Sequence, residues 1–253
     1  MERNGLLSLI GRGGESPTIE TLEDFGLGGV DCPLCQNKGY IISRGKDGFS
    51  LVSRECECMT KRRALRSLRQ SGLEDLLKTY TLESYQTPDA QHKAIKQTAL
   101  SFLDVKEGWF FIGGRPGSGK THICTAIAGE LIRRGTPVLY MLWRDEAQQL
   151  KAGLMDREWY AERMRKLKTV PVLYIDDFWK VKRGENAVTA GDVNLAFEIL
   201  NSRYNNRRLR TILSSEHTLE DILSVDEGVG RRIYERSRGY AKLAPDEDWS
   251  LKK

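Results

Sequence analysis

The sequence predicts an α/β protein with a parallel sheet flanked by helices, preceded by a small cysteine-bound module. Three observations carry this reading. The apolar runs beginning at Trp109, Pro137, Pro171 and Thr211 have the length of buried strands, and they alternate with longer segments of helical periodicity. A glycine-rich segment joins the first run to a helix, and two adjacent acids close the third. Four of the five cysteines lie within residues 32–58, ahead of every one of these runs.

Size and composition set the outer limits. With 253 residues, 40% of them hydrophobic and 30% charged, the chain can bury a substantial core, which excludes disordered and fibrous classes. No apolar run reaches the roughly 20 residues that span a bilayer, so no membrane partner is expected. The opening MERNGLLSLIGRGG carries Glu2 and lacks a long apolar core with a small-residue cleavage site, so the chain reads as cytoplasmic. The organisation expected is an N-terminal module over residues 1–70, a linker over 71–88 and the main domain over 89–253.

The cysteines come first in the chain. Cys32 and Cys35 form one close pair, Cys56 and Cys58 another, and two thiolate pairs separated by a loop can present four sulfurs to one Zn²⁺. The one-residue spacer in Cys56-Glu-Cys58 makes a tighter chelate than the usual two, and reduced thiols or an iron–sulfur cluster are the alternatives. Gly39-Tyr40 and the Lys46-Asp47-Gly48 turn suit a hairpin between the pairs. Cys124 stands apart in an apolar helix as a small buried residue. A basic helical stretch then runs from Met59 to Arg69 until Ser71-Gly72 interrupts it. Leu82, Tyr85 and Pro88 belong to an irregular connection, and Asp89 suits the N-cap of a helix through Ala94, Ala99, Phe102 and Leu103.

Trp109-Phe-Phe-Ile leads into Gly114-Arg115-Pro116-Gly117-Ser118-Gly119-Lys120-Thr121-His122 and then into an apolar helix at Ile123, Ile127 and Leu131. This matches G-x-x-x-x-G-K-[ST] in the strand–loop–helix context that gives it meaning, rather than a chance Gly/Lys turn. The glycines let backbone N–H groups wrap phosphate oxygens, Lys120 reaches the β- and γ-phosphates, and the Thr121 hydroxyl ligates Mg²⁺. A second strand from Pro137 opens into a charged helical region from Arg144 to Lys168. The third, Pro171-Val-Leu-Tyr-Ile, ends at Asp176-Asp177, where an open α/β sheet binds its ligand. Asp176 is placed to hold the Mg²⁺ shell and Asp177 to orient or deprotonate water, although such a pair elsewhere is often a helix cap. A helix with apolar residues at Val193, Ala196, Phe197, Leu200 and Tyr204 precedes the fourth strand, Thr211-Ile-Leu-Ser-Ser, whose polar end at Glu216 could sense the γ-phosphate.

Charge is unevenly distributed. Residues 1–75 hold 11 basic and 11 acidic side chains, so the formal charge of +5 belongs to the remainder. Arg203, Arg207, Arg208 and Arg210 form one basic cluster, and Arg231, Arg232, Arg236, Arg238 and Lys242 another, a pattern that leans toward phosphate chemistry or nucleic acid over plain solvated surface. The histidines at 92, 122 and 217 read as solvent-facing or locally bonded, His92 on a surface helix.

From Cys32 to about Lys242 the chain resembles the DnaC/DnaI-type helicase loaders, AAA+ P-loop ATPases of the IstB-like clade found in bacteria and their phages. The resemblance rests on the two cysteine pairs, the Ser71-Gly72-Leu73 break before Tyr80 and Tyr85, the Asp176-Asp177 ending and the run Gly230-Arg231-Arg232-Ile233-Tyr234-Glu235-Arg236. It implies a five-stranded parallel sheet, ATP and ADP as ligands, Mg²⁺ and Zn²⁺ as metals, and Arg232 as a finger reaching a neighbouring subunit's nucleotide with Arg236 beside it. It further implies an ATP-dependent oligomer that loads a hexameric replicative helicase onto single-stranded DNA, gripped through the cysteine module. Tyr85 would pack on adenine or serve as a core tyrosine. Arg157, Arg163, Arg165, Lys166 and Lys168, with Trp159 and Tyr160, would meet DNA or else form an ordinary amphipathic helix.

The chain departs from wider AAA+ practice in three places. Asp177 stands where Glu is usual, so hydrolysis is expected to be slow and partner-stimulated. Glu216, or alternatively Ser215, stands where Asn is usual. Residues 237–253 are too few for a helical lid, so that subdomain is expected to be absent or truncated. A transposition-helper ATPase and a non-catalytic zinc and nucleotide adaptor are the competing functions, and the cysteine module counts against the first.

Overall fold

The computed structural model describes residues 32–45, 48–59, 62, 74–134, 136–181 and 187–245. These fall into two compact units that divide after Arg62. The first unit contains the hairpin expected between the cysteine pairs. Strands β1 (Tyr40–Arg44) and β2 (Leu51–Glu55) pair antiparallel, with Tyr40 opposite Glu55 and Arg44 opposite Leu51. A Gly45 N–H to Ser50 carbonyl bond of 2.8 Å closes the ladder. Residues 46 and 47 of the expected turn, and the basic helix apart from Met59 and Arg62, lie outside the described residues.

The second unit begins with a short helix, α1 (Glu74–Thr79), and then α2 (Ala90–Asp104), whose N-cap Asp89 accepts from the His92 N–H as its sequence position suggested. Strand β3 (Trp109–Gly113) runs into the glycine-rich loop and α3 (Lys120–Arg133). After β4 (Val138–Leu142) the charged region forms two helices, α4 (Trp143–Ala152) and α5 (Arg157–Thr169), broken by a 3₁₀ turn at Gly153–Met155. The break is packed: a Cβ on Gly153 would stand 2.3 Å from the Trp159 ring. Next come β5 (Val172–Phe178), α6 (Ala190–Asn205), β6 (Arg210–Ser215), α7 (Leu219–Val225), α8 (Glu227–Arg236) and β7 (Ala241–Leu243).

The five strands form one parallel sheet in the order β4-β5-β6-β3-β7. Alternation along β3 divides the core. Phe110 and Ile112 face a cluster with Ile95, Phe102, Ile123 and Ile127 of α2 and α3, while Trp109 and Phe111 face one with Trp143, Leu167, Ile199 and Ile233 of α4, α5, α6 and α8. A strand covered on both sides needs apolar residues at every position, which is why these strands read as unbroken apolar runs. After α8 the described chain returns directly to the sheet as β7, where Phe111 pairs with Ala241.

Packing corrects several sequence readings. His92 is buried and bonded to Asp89, with Nδ1 2.7 Å from Oδ2, not exposed on a surface helix. Arg203 is fully buried and Arg210 nearly so, which removes half of the first basic cluster from the surface. The Arg203 guanidinium donates to Thr211 Oγ1 and to the carbonyls of Leu167, Val170 and Arg210, stapling α5 and α6 to β6. Burial, with the nearby Arg236 charge, pulls its pKa down to about 9. Phe197, assigned to the apolar face of α6, is 39% exposed.

Candidate functional site

Because all five strands are parallel, their C-terminal ends share one edge, and that edge collects the loop after β3, the acids after β5 and the polar end of β6. The loop turns through glycines with φ of 137° at Gly114, 77° at Gly117 and 82° at Gly119, a region that side-chain-bearing residues avoid. Gly113 is demanded by proximity, since a Cβ there would lie 2.5 Å from the His217 carbonyl oxygen. Ser118 Oγ donates to the Arg115 carbonyl at 2.7 Å, and the largely buried Lys120 ammonium donates to the same carbonyl at 2.6 Å. Burial lowers the Lys120 pKa, opposed by the charges of Glu216 and Asp177.

Between the first turn of α3 and the end of β5, Thr121 Oγ1 donates to Asp176 Oδ1 at 3.2 Å. Asp176 is 4% exposed, and its other oxygen accepts from the Tyr140 hydroxyl at 3.3 Å. Burial raises its pKa, and the neighbouring Asp177 charge adds to this against hydrogen bonds from Ser214 and Thr121. A hydroxyl and a carboxylate oxygen placed together this way are hard donors of the type that Mg²⁺ selects, so these two residues fit that ion.

Asp177 owes its orientation to a bulge. Ile175 pairs with Leu213 and Phe178 with Ser215, so Asp176 and Asp177 together face Ser214 alone. Asp177 takes φ of 52° and Trp179 of 60°, both left-handed. Ser214 holds the bulge from within: its Oγ donates to Asp176 Oδ1 and accepts from the Asp177 N–H at 3.0 Å. The chain then turns back, Lys180 N–H donating to the Asp177 carbonyl at 3.0 Å. That turn delivers the Lys180 ammonium to 2.9 Å from Asp177 Oδ2 and 2.8 Å from Glu216 Oε1. Partial burial would lower the Lys180 pKa, but the bonds to Glu216 and Asp177 outweigh it and raise it.

The structure therefore brings Lys120, Thr121, Asp176, Asp177 and Glu216 to one edge. Ser215, the alternative to Glu216, is buried, and its hydroxyl is engaged with the backbone, donating to the Phe178 carbonyl and accepting from the His217 N–H. Tyr140, Ser214 and Lys180 are members that sequence reasoning missed. Tyr140 reads as one more residue of an apolar strand, and Lys180 as an ordinary surface lysine unless the left-handed turn is known. Tyr85 is buried beside the loop, its Cε2 3.6 Å from where a Gly119 Cβ would stand. His122 stacks on Tyr80 at 4.5 Å, with Nε2 3.1 Å from both the Thr81 carbonyl and Ser84 Oγ.

The arginines of α8 have partners within the chain. Arg232 donates to Asn201 Oδ1 at 3.0 Å and the Gly228 carbonyl at 2.7 Å, and lies 4.4 Å over the Phe197 ring. Arg236 donates to the Arg207 carbonyl at 2.8 Å. On α5, Arg163 makes a bidentate pair with the buried Glu146, Lys166 pairs with Glu162, and Lys168 and Tyr160 share Glu198. Arg157, Arg165 and the partly exposed Trp159 remain on its outer face.

In the first unit the four cysteines are buried and unlinked by disulfides. Their sulfurs all lie within 4.8 Å of one another, with Cys32 to Cys56 at 3.7 Å and Cys35 to Cys58 at 3.5 Å. A tetrahedron of Zn–S bonds of about 2.3 Å has edges of about 3.8 Å, so the cluster fits one zinc ion. Asn37 Oδ1 accepts from the Cys32 N–H at 2.8 Å and from Arg62, and Gly39 N–H donates to Cys35 Sγ at 3.4 Å. Burial resists ionisation of Cys35, but the Gly39 amide and the neighbouring sulfurs bring its pKa down to about 7.

Comparison with known proteins agrees with this geometry. The family described as IstB-like ATP binding protein matches over residues 48–229. The phage-like element PBSX protein XkdC of Bacillus subtilis (strain 168) is 31% identical over 231 residues, covering 87% of this chain and 85% of its own. The replicative helicase loader DnaC of Buchnera aphidicola subsp. Schizaphis graminum is 24% identical over 200 residues, 77% of this chain and 76% of its own. Among solved structures, one titled as the DnaC helicase loader superposes with a TM-score of 0.57 at 22% identity, covering 67% of this chain and 98% of that one, which shows a shared fold.

Proposed function

The chain belongs to the IstB-like ATP-binding protein family, and from that premise we propose that it is an ATP-dependent loader of a hexameric replicative helicase onto single-stranded DNA. The observation that carries the nucleotide chemistry is the convergence of Lys120, Thr121, Asp176 and Asp177 at one strand edge. The loader role rests on the similarity to DnaC over most of both chains.

In this reading the backbone N–H groups of Gly117, Ser118, Gly119, Lys120 and Thr121, with Gly114, Arg115, Pro116 and His122 shaping the loop, bind the phosphates of ATP, and Lys120 faces the β- and γ-oxygens. Thr121 and Asp176 would hold Mg²⁺, which supplies neutralisation of phosphate charge. Asp177 orients a water molecule and takes its proton while the water oxygen bonds to the γ-phosphorus. The bond to the β,γ-bridging oxygen breaks, its electron pair leaves with ADP, and inorganic phosphate is released. Arg232 serves the nucleotide of a neighbouring subunit, with Arg236 securing the end of α8, so ATP acts as glue in an oligomer. Cys32, Cys35, Cys56 and Cys58 hold Zn²⁺, and the hairpin they shape grips the helicase. Arg157, Arg165 and Trp159 form the DNA-facing side of α5, and the compartment is the bacterial cytoplasm.

The test is to mix the purified protein with the replicative helicase of its host, with and without ATP, and weigh the products by light scattering. A stoichiometric, nucleotide-sensitive complex that is lost in Lys120→Ala and Arg232→Ala supports the loader. No complex under any condition overturns it in favour of a transposition helper. ATP turnover that is at background and indifferent to Lys120→Ala would mark a non-catalytic adaptor.

A further inference from the structure

The nucleotide edge carries more negative charge than its proposed chemistry explains. In the hydrolytic reading Mg²⁺ would neutralise Asp176, but Asp177 and Glu216 would both stand close to the incoming anionic γ-phosphate. Glu216 in particular puts a full charge at the end of β6, where a neutral amide would be benign. Two like-charged carboxylates beside a polyphosphate raise its energy of approach unless a cation lies between them. The structure supplies one. Lys180 Nζ is 2.9 Å from Asp177 Oδ2 and 2.8 Å from Glu216 Oε1, and its own side chain is only 37% exposed.

This is not a casual surface pair. It depends on the β5 bulge, on the left-handed backbone at Asp177 and Trp179, and on the Lys180 N–H to Asp177 carbonyl turn. Backbone of that kind is costly and persists only where the surroundings hold it. It joins the Asp177 side chain to the end of the neighbouring strand through one ammonium group.

We propose that Lys180 is a positioning residue for ATP hydrolysis. By holding Asp177 Oδ2 it fixes the carboxylate with Oδ1 turned to accept from the attacking water, and by pairing with Glu216 it removes the repulsion that a second free carboxylate would present. A lysine has three N–H donors, so both bonds can be made at once. The role answers a specific need, because Asp177 is one methylene shorter than a glutamate and depends more on its neighbours for aim. The inference rests on the hydrolytic reading given above, since a positioning residue needs a reaction.

The experiment compares steady-state ATP turnover and nucleotide binding in wild type, Lys180→Met and Lys180→Arg, with thermal melting as the check of folding. Lys180→Met is expected to lower kcat by about tenfold or more, the scale of a misplaced catalytic group. The same variant should bind a fluorescent ATP analogue within about threefold of wild type, and Lys180→Arg should recover most of the turnover because it keeps the cation. Equal turnover in Lys180→Met overturns the proposal, and faster turnover overturns it and marks the pair as an inhibitory latch. A parallel loss of binding and turnover overturns it in favour of a general electrostatic role. Nucleotide binding without turnover in wild type itself sinks the hydrolytic reading and this proposal together, and is told apart by the wild-type measurement alone.

Discussion

Strand β3 buries all five of its residues, whereas every residue of β2 in the cysteine hairpin is exposed. Both regions place reactive side chains within a few ångströms of one another, yet they do it by opposite means. At the nucleotide edge the side chains are fixed by a sheet with apolar clusters on both faces. In the hairpin the buried hydrophobic residues, among those described, are the four cysteines, with Ile41 and Met59 partly buried against them. A sheet can hold a carboxylate in an unfavourable place because the summed dispersion and burial of its two apolar clusters outweigh it, while a hairpin of this size has no such reserve. The difference predicts how each region responds to loss of a single group.

The largest effect is expected in the hairpin on metal loss. Structural zinc contributes roughly 10–16 kcal/mol of apparent binding free energy in small metal-dependent folds, far above what the exposed strands can supply. Purified protein should carry about one zinc per chain. Chelation, or Cys56→Ser, should collapse the amide dispersion of residues 32–58 while leaving that of residues 109–236 unchanged. Dispersed hairpin resonances in metal-free protein would break the comparison.

The second test matches two phenylalanines. Phe178 is fully buried and packs on Trp143 and Trp179, with ring centroids at 4.9 and 4.8 Å, and Phe49 beyond the hairpin turn is 96% exposed. Phe178→Ala should cost about 3–5 kcal/mol in urea unfolding of the main domain. Phe49→Ala should fall within about 0.5 kcal/mol of wild type. A hairpin that unfolds with the main domain in one transition and responds to Phe49→Ala would show that its exposed face contributes to stability after all.

What the sequence made legible follows the same divide. Buried parallel strands announce themselves as apolar runs, so β3, β4, β5 and β6 could be placed, and the loop and Asp176-Asp177 then fell at their ends. The short β7 is Ala-Lys-Leu, half exposed, and takes its strand character from pairing with β3; no pattern in its own residues signals it. Arg203 and Arg210 misled because composition records charge and not the carbonyls that can bury it. Lys180 and Ser214 escaped for a related reason. Their contacts depend on a one-residue bulge in a parallel pair, and neither periodicity nor motif spacing encodes a bulge.

The smallest effect, and the sharpest, concerns Asp176. Burial raises its pKa above the ordinary value of 3.8, so the folded state binds this proton more tightly than the unfolded chain does. The sign then follows: stability falls as pH rises from about 3.8 through the raised folded value, and above that value the full cost of the buried charge is present. Asp176→Asn removes the charge and keeps the shape, and the hydroxyls of Ser214, Thr121 and Tyr140 can accept as well as donate. The variant should therefore unfold at higher urea than wild type at pH 7, by an amount on the order of 1 kcal/mol, with the advantage shrinking toward pH 4. Its affinity for Mg²⁺ with ATP should fall at the same time. A gain in stability paired with a loss of ligand binding is the mark of a site whose strain the surrounding sheet supports. If zinc holds the hairpin as proposed, no cysteine there can show that pairing, because the group that binds would also be the group that folds. An Asp176→Asn protein less stable than wild type at pH 7 would mean that the carboxylate's hydrogen bonds outweigh its burial, and that this edge is held together by its polar centre, as proposed for the hairpin.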